Sequence, residues 1–380
     1  MAQDFSVQYN ATFKVITDSF VNETYVGYQC GTPRPNYRPA SNKVFQIPLA
    51  AIGTDSTVPV GFIELLGIQS ALKYIDPTYI TSPCILKLVN ESAISSFDTS
   101  FPANRTLIAQ QEATLAGVFK SSQKASNNSL WIQVDATSDP GPLKRAEWIK
   151  YIALFFNLEP EAKTIYDEIA TLYNCQRTAY ANRTNKPVVA WVNYYQNVWT
   201  ISNATYKLLL TADAGGANLP NSSYRSYNLS ANATEITAFQ TALQNVTVVI
   251  DESYAADPST YTIAKFLANA RLNGTANPPA FVTNRQVWRE DKTVSPGGTG
   301  GLAWFEEAVA EPQVVLQDLI SAFWGTNTTH TFFRNVAQNE TIIVADPAQC
   351  LRNANSTKPV TVVACPLAPA ANITANVTLP

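Results

Sequence analysis

The apolar positions along the chain follow two periods in turn, and this predicts strands that alternate with helices. Short apolar runs typical of buried strands are KVFQIPL, CILKLV, LWIQV, PVVAWV, VWTIS, VTVVIDESY and PAFVTNRQVW. Apolar residues recur every three or four positions in VGFIELLGIQSALKYI, residues 107–119, NATYKLLLTADAGGANL, TIAKFLANARL and WFEEAVAEPQVVLQDLISAFWG. Strands that alternate with helices favour mostly parallel sheets, whose ligand sites lie in the loops at the carboxyl ends of the strands.

The longest helical pattern lies at mid-chain, from Leu143 to Cys175. Pro160 divides it, because proline fits the first turn of a new helix. The second helix, from Pro160 to about Asn182, would be about 34 Å long at 1.5 Å per residue, which is enough to join two lobes. The sequence therefore predicts five parts. They are an irregular segment 1–42, an α/β lobe 43–159, a linking helix 160–185, a second α/β lobe 186–350 and a tail 351–380.

The composition of the chain mainly excludes classes of partner. At 380 residues the chain is long enough for two hydrophobic cores. The net charge is only -3 and 14% of residues are charged, with no basic run, so nucleic acid is not an expected partner.

Asn-X-Ser/Thr acceptors occur at roughly three times the frequency expected by chance, which indicates a secreted, glycosylated protein. They are Asn10, Asn22, Asn90, Asn104, Asn127, Asn182, Asn203, Asn221, Asn228, Asn232, Asn245, Asn273, Asn327, Asn339, Asn355, Asn372 and Asn376. No apolar run reaches the roughly 20 residues of a membrane span, and MAQDFSVQYN lacks a signal-peptide core. We interpret the chain as a mature, monomeric ectodomain, secreted or on the cell surface, whose tail ACPLAPAANITANVTLP would lead to a removed membrane anchor.

Five cysteines allow two disulfides and one free thiol. The short loop between Cys350 and Cys365 favours that pair, and Cys30 with Cys84 would tie the first half. Cys175 would then be the free thiol, facing a core from the central helix.

Four stretches, in their order, resemble the helix-linked, two-lobe substrate-binding proteins typified by bacterial periplasmic receptors for cobalamin and ferric siderophores. They are KVFQIPLAAIGTDSTVPVGFIELLG, EWIKYIALFFNLEPEAKTIYDEIATLY, VWTISNATYKLLLTADAGGANL and QVVLQDLISAFWG. FFNLEPEA and GGLAWFEEAVAEPQ are most similar to the cobalamin acquisition proteins of microalgae. The resemblance implies two Rossmann-like lobes, an interlobe cleft for cobalamin as ligand rather than catalytic cofactor, and a membrane transporter or receptor as partner. The bacterial receptors dock on a membrane importer through exposed acidic residues on each lobe, and the resemblance loosely places Glu64 and Glu307 at those positions.

Candidate ligand-binding residues follow the predicted strands. The first lobe offers Thr54, Asp55, Ser56 and Thr57 at a helix N-terminus, with Phe62 one turn in and Asp135 after LWIQV. The second offers aromatic residues, which suit a large flat ligand: Tyr194, Tyr195, Trp199, Trp288 and Trp304. Core packing is the competing explanation for each aromatic residue, and helix capping for Asp135. Arg289 could meet an anionic ligand group or form a salt bridge.

Other chemistry finds little support in the sequence. The single histidine, His330, makes a zinc or manganese cage or a Ser-His-Asp triad improbable. The glycine cluster Pro296 to Gly301 lacks the Lys-Ser/Thr ending of a phosphate loop and fits a mobile loop beside the cleft.

Four hypotheses follow from these observations. The first is a non-enzymatic extracellular receptor for cobalamin. The second keeps the fold but binds a ferric siderophore or haem, for which only Arg289 and Lys292 are evident cations. The third is a glycan-active hydrolase using Glu306 and Glu307, or Asp135 and Asp139, as its carboxylate pair. The fourth is a structural surface glycoprotein without a ligand.

Overall fold

The computed structural model describes residues 2–37, 43–100, 102–298, 300–326 and 328–365. They form two α/β lobes with one long helix between them, as the sequence predicts. Among these residues no helix is both long and apolar enough to span a bilayer.

Three strands of a sheet lie between Phe5 and Gln29, so the prediction of an irregular N-terminal segment is wrong. The sheet has the order β1-β2-β3-β4, with β1 to β3 antiparallel and β4 parallel to β3. Its strands are β1 (Phe5–Tyr9), β2 (Phe13–Asp18), β3 (Glu23–Gln29) and β4 (Val44–Ile47). The phenylalanine, valine, isoleucine and threonine of FKVITD were the local signal, because these residues favour strands. The sheet packs on the first lobe, where the Phe5 ring lies 5.2 Å from that of Trp148.

The first lobe is built on a fully parallel sheet of order β7-β6-β5-β8-β9. Its elements are β5 (Ile52–Thr54), α1 (Val58–Leu66), β6 (Leu72–Ile75), α2 (Pro83–Asn90), β7 (Ser95–Ser96), α3 (Arg105–Glu112), β8 (Gly117–Lys120), β9 (Trp131–Gln133), α4 (Pro142–Ala146) and α5 (Trp148–Ala153).

Three expectations for the elements of the first lobe are wrong. CILKLV is part of α2, because Ser82 caps that helix and Pro83 fits its first turn. The predicted long first helix ends at Gly67, whose φ of 71° terminates it, and the chain then forms β6. Residues 107–119 divide into α3 and β8.

The linking helix α6 (Glu159–Ala181) has 23 residues and begins where Pro160 predicts. Its apolar face contributes to the cores of both lobes. Ala162 and Ile169 belong to the first core, whereas Tyr173 and Tyr180 belong to the second. The helix therefore stabilises both lobes as well as joining them.

The second lobe has a mixed sheet of order β12-β11-β10-β13-β14-β16, in which β10, β13 and β14 are parallel. Its strands are β10 (Val189–Tyr195), β11 (Val198–Ile201), β12 (Ser226–Asn228), β13 (Val248–Asp251), β14 (Val287–Arg289), β15 (Thr293–Val294), β16 (Arg334–Asn335) and β17 (Ile343–Val344), where β15 pairs with β17 in a separate ladder. Its helices are α7 (Thr205–Asp213), α8 (Ala233–Leu243), α9 (Ile263–Asn269), α10 (Ala280–Thr283), α11 (Ala303–Glu306) and α12 (Pro312–Trp324).

The expected loop NYYQN is instead a tight hairpin, because Gln196 and Asn197 take φ values of 46° and 63° that suit a two-residue turn. PAFVTNRQVW, expected to be one strand, holds α10 and β14.

Residues 345–365, here called the strap, run across both lobes and are not a free tail. Val360 packs in the first core and Val363 in the second. The strap also carries two disulfides, Cys84–Cys350 and Cys175–Cys365, with Cα–Cα distances of 4.8 and 5.8 Å.

The free thiol among the five cysteines is the exposed Cys30. Both predicted pairings are therefore wrong, because the strap brings Cys350 and Cys365 to different elements. Of the tail predicted at 351–380, residues 366–380 lie outside the described residues.

Candidate functional site

A cavity of 560 Å³ lies between the lobes at the carboxyl ends of β5 and β8. Asp55, Ser56 and Thr57 follow β5, and Lys120 with Ser121 and Ser122 ends β8. Neighbouring parallel strands bring these two loops together, as expected for an α/β sheet. The second lobe supplies the opposite wall through Gly300, Gly301, Leu302 and Phe305.

The lobes touch directly beside this cavity. Thr57 Oγ1 donates to the carbonyl oxygen of Phe305 at 3.1 Å. Gly301 lies so close to the first lobe that a Cβ there would be 2.6 Å from Tyr79 Cα. A side chain at this position would separate the lobes, which gives this glycine of the Pro296 to Gly301 cluster a physical role.

Aromatic rings with unusual exposure surround the cleft. Tyr79 is 48% exposed, Phe305 51% and Tyr254 79%, and Trp131 also lines the cavity. Such side chains bind flat apolar ligand surfaces at a small cost in side-chain entropy. The cleft therefore suits a ligand with a large apolar face.

The cationic group at the cleft is already neutralised. Lys120 forms an ion pair with Asp55 and lies 4.3 Å from the centre of the Trp131 ring. Trp131 Nε1 in turn donates to Glu112 at 2.6 Å. Since Lys120 has both a carboxylate and an aromatic partner, it offers an anionic ligand little net attraction.

A second, enclosed chamber of 110 Å³ adjoins the main cavity and shares Gly300, Leu302 and Phe305 with it. It lies at the carboxyl ends of β13 and β14. Arg289 is buried there and donates to Asp251 at 2.8 Å and to Asp291 at 2.7 Å. Burial opposes its charge, yet the two carboxylates hold the pKa of Arg289 above its usual range. Arg289 thus forms a structural salt bridge, the alternative that its sequence position left open.

The predicted first-lobe residues divide into two groups. Asp55, Ser56 and Thr57 line the cleft. Thr54 is buried at the end of β5, Phe62 is a core residue of α1, and Asp135 is buried.

Asp135 faces another carboxyl group, that of Asp18 in the N-terminal sheet. Burial first, and then the neighbouring charge of Asp135, raises the pKa of Asp18 to about 8. Burial likewise raises the pKa of Asp135 to about 6. This pair lies where the N-terminal sheet meets the first lobe and does not line the cleft.

The predicted aromatic residues of the second lobe lie mostly in cores rather than at the cleft. Trp199 is fully buried, with its ring 5.4 Å from that of Phe239. Half-buried Tyr194 packs on Trp199, and Trp304 packs on Trp191. Trp288 lines a separate cavity with His330, and Tyr195 is 67% exposed but does not line the cleft.

The residues that sequence reasoning missed lie on elements whose boundaries it placed wrongly. Lys120 ends β8 and Ser121 and Ser122 follow it, and the sequence pattern merged this strand with a helix. Tyr79 and Phe305 carry no signal beyond their aromatic character. Only the tertiary structure brings them from positions 226 residues apart to one cavity.

The other candidate carboxylates have structural partners. Glu306 accepts from Thr81 N at 2.6 Å and from Ser82 N at 2.9 Å, whereas Glu307 pairs with Lys358. Asp139 accepts from Trp148 Nε1 at 2.7 Å. Glu64 is buried and bonded to Arg352, so neither Glu64 nor Glu307 is a freely exposed docking carboxylate. Within the described ranges no three His, Cys, Asp or Glu side chains group as a metal site.

The fold is that of bacterial periplasmic solute-binding proteins with a helix between two lobes. A protein from Staphylococcus epidermidis, described as a possible iron-binding periplasmic solute-binding protein, matches with a TM-score of 0.52 and 12% identity over 72% of this chain and 98% of its own. A periplasmic binding protein from Veillonella parvula matches with a TM-score of 0.52 and 10% identity over 73% of this chain and 85% of that chain. A periplasmic haem-binding protein from Pseudomonas aeruginosa matches with a TM-score of 0.51 and 12% identity over 78% and 99%.

These structural matches confirm the predicted fold class. No family model matches the chain, and no curated protein matches it in sequence. The likeness to microalgal proteins therefore depends on the quoted stretches alone.

Proposed function

We propose that this chain is an extracellular, non-enzymatic binding protein that holds a corrinoid, cobalamin, in the cleft between its lobes for uptake by a membrane partner. The observation that carries the proposal is the group of exposed aromatic side chains at the cleft: Tyr79 and Phe305 line the main cavity, which has little free charge, and Tyr254 lines the adjoining chamber. The neighbours' description as solute-binding proteins supports a binding role without catalysis.

The cavity volume constrains how such a ligand would sit. At 560 Å³ the cavity lies within the usual range for small-molecule sites. A corrinoid is too large to be enclosed in it, so we expect one face of the macrocycle to lie on the aromatic residues while the other stays near solvent.

Surface chemistry supports the extracellular part of the proposal. Every sequon asparagine within the described residues is exposed, from Asn10 to Asn355. Asn327, Asn372 and Asn376 lie outside the described residues. Exposed acceptors are open to glycosylation in the secretory pathway, and treatment of the secreted protein with a glycosidase should lower its apparent mass.

A ferric siderophore or haem is the second candidate, favoured by the iron- and haem-binding descriptions of two neighbours. The charges at the cleft disfavour such an anionic ligand. Lys120 is paired with Asp55, Arg289 is buried among carboxylates, and Lys292 donates to the Thr341 carbonyl. Anionic ligands usually need several convergent free cations.

The test is a titration of the purified full chain with cyanocobalamin, followed by absorbance and calorimetry. We expect micromolar or tighter binding, weakened at least about tenfold in the double variant Tyr254→Ala, Phe305→Ala. Tyr195→Ala is the matched control, because the exposure of Tyr195, 67%, lies between those of Phe305 and Tyr254 and it does not line the cleft. Absent binding at micromolar cobalamin, or binding of haemin or a ferric siderophore instead, would overturn the proposal.

A further inference from the structure

The enclosed chamber behind Phe305 contains one polar group that the fold leaves unsatisfied. Glu290, at the end of β14, lines this chamber and is only 5% exposed. Its Oε2 atom has no hydrogen-bond partner. A buried carboxyl oxygen without a partner is costly, which points to a ligand group that completes its bonding.

The neighbouring charged groups already have partners. Arg289 uses its nitrogens on Asp251, Asp291 and the Ser253 carbonyl. Asp291 also accepts from Arg334 at 2.6 Å. Lys207 forms an ion pair at 2.5 Å with Glu252, another carboxylate of the chamber. Among the described charged side chains that line this chamber, Glu290 is therefore the one with a buried oxygen that lacks a hydrogen-bond partner.

The two carboxyl groups differ in charge compensation. Glu252 has Lys207 as its counter-ion, at 2.5 Å. Burial first, and then the charge of Glu252, raises the pKa of Glu290 well above its usual range. In its protonated form, which burial favours, Glu290 can both donate and accept a hydrogen bond.

This combination selects among ligand groups. A metal ion would need more carboxylates or imidazoles than are free here, and the described residues hold no such group. A ligand carboxylate would be repelled by Glu252, and Lys207 already supplies an ammonium. An uncharged primary carboxamide offers one acceptor and two donors, which match a carboxylic acid beside a carboxylate.

We propose that Glu290, with Glu252 beside it, forms a subsite for a primary carboxamide of the ligand bound in the cleft. The subsite rests on the proposed function, since the chamber opens beside the main cavity at Gly300, Leu302 and Phe305. The aromatic rings would hold the ligand's flat face, and one carboxamide arm would reach into the chamber and fix its orientation.

The first test compares cyanocobalamin with its monocarboxylic acid derivatives. In each derivative a carboxylate replaces one primary carboxamide. At pH 7 at least one derivative should bind the native protein about tenfold more weakly than cyanocobalamin. Glu290→Gln keeps a donor and an acceptor and should retain cyanocobalamin binding. The Glu290→Leu variant should bind cyanocobalamin about tenfold more weakly, and it should no longer discriminate between cyanocobalamin and the acid derivatives.

Glu161 is an exposed carboxylate on α6, and Glu161→Gln serves as the control. This variant should change the affinity neither for cyanocobalamin nor for its acid derivatives. A purely structural role for Glu290 would alter the melting temperature but leave the ratio of amide to acid affinity unchanged. Equal binding of all acid derivatives to the native protein would overturn the subsite while leaving the proposed function intact.

A protein that does not bind cyanocobalamin would instead contradict the proposed function, and the subsite then has its own test. Acetamide and acetate are titrated separately and followed by ligand-observed NMR. Acetamide should bind the native protein and the Glu290→Gln variant but not Glu290→Leu, and acetate should bind none of them. Acetate binding as strong as that of acetamide, or no acetamide binding, would refute the subsite.

Discussion

Trp199 shows how strongly a single aromatic residue depends on its surroundings. Its ring packs on Phe239 and Phe266 at 5.4 and 5.3 Å, and its Nε1 donates to the Asn269 carbonyl at 3.0 Å. It follows a hairpin turn, a position that usually favours exposure. Because β11 lies inside a six-stranded sheet, the side chain instead fills the core beneath α8 and α9.

We expect Trp199→Ala to lower the free energy of unfolding by about 3–5 kcal/mol, since it opens a cavity in a closed core. The exposed Tyr195→Ala should change it by less than about 0.5 kcal/mol. Urea unfolding followed by circular dichroism measures both values. A loss below about 1 kcal/mol for Trp199→Ala would contradict the core position.

Asp18 is a residue whose effect depends on pH. Its folded-state pKa of about 8 lies above the ordinary value of 3.8, so the folded chain binds a proton that the unfolded chain releases. This contribution to stability is fully present below about pH 3.8 and is lost as the pH rises to about 8.

Asp18→Asn removes this titration while preserving the side chain's shape. We expect the variant to gain stability relative to the native protein between pH 5 and pH 8, by about 1–3 kcal/mol. Urea unfolding at both values is the measurement, with exposed Asp167→Asn as control. The same difference between variant and native protein at both pH values would contradict the raised pKa of Asp18.

At the scale of elements, the strap is the part of the structure that joins distant segments covalently. It ties α2 through Cys84–Cys350 and the linking helix α6 through Cys175–Cys365. The sequence separations are 266 and 190 residues, so both bonds close long loops of the unfolded chain.

We expect the double variant Cys84→Ser, Cys350→Ser to lose about 2–5 kcal/mol of stability, and likewise Cys175→Ser, Cys365→Ser. Cys30→Ser is the control, since Cys30 is exposed and free, and should have little effect. Non-reducing peptide mapping should find these two pairs, and a peptide linking Cys350 to Cys365 would contradict the structure.

At the scale of the whole molecule, a charged network holds the lobes together behind the cleft. Lys358 of the strap pairs with Glu307 and Glu311, at 2.5 and 2.6 Å, in the segment that leads to α12. Its backbone nitrogen donates to the Glu64 carbonyl of α1 at 2.8 Å. The strap therefore links the first lobe to the second and limits how far the cleft can open.

We expect Lys358→Met to lower stability by about 1–3 kcal/mol, because two carboxylates lose their counter-ion in a largely buried setting. Hydrogen exchange should rise in α1 and the strap. Lys163→Met removes an exposed ion pair on α6 and should cost about 0.5 kcal/mol or less. Unchanged exchange in the Lys358 variant would show that the network does not hold the lobes.

The sequence by itself determined the repeating elements and their linkage. The two periods of apolar residues predict the α/β class, and Pro160 predicts the start of α6, because both depend on local chemistry. The loop Asp55 to Thr57 was likewise predictable, since it follows a buried strand and precedes a helix.

Only the tertiary structure decided which residues meet. The disulfide partners and the joining of Tyr79 to Phe305 depend on how the chain returns to itself over more than 150 residues. The burial of Trp199 and Arg289 depends on contacts with other strands and helices of the second lobe. A local pattern contains no information on such contacts, because each residue's burial and pKa are set by neighbours distant in sequence. The cleft, and the unsatisfied Glu290 within its inner chamber, therefore became visible only in the folded molecule.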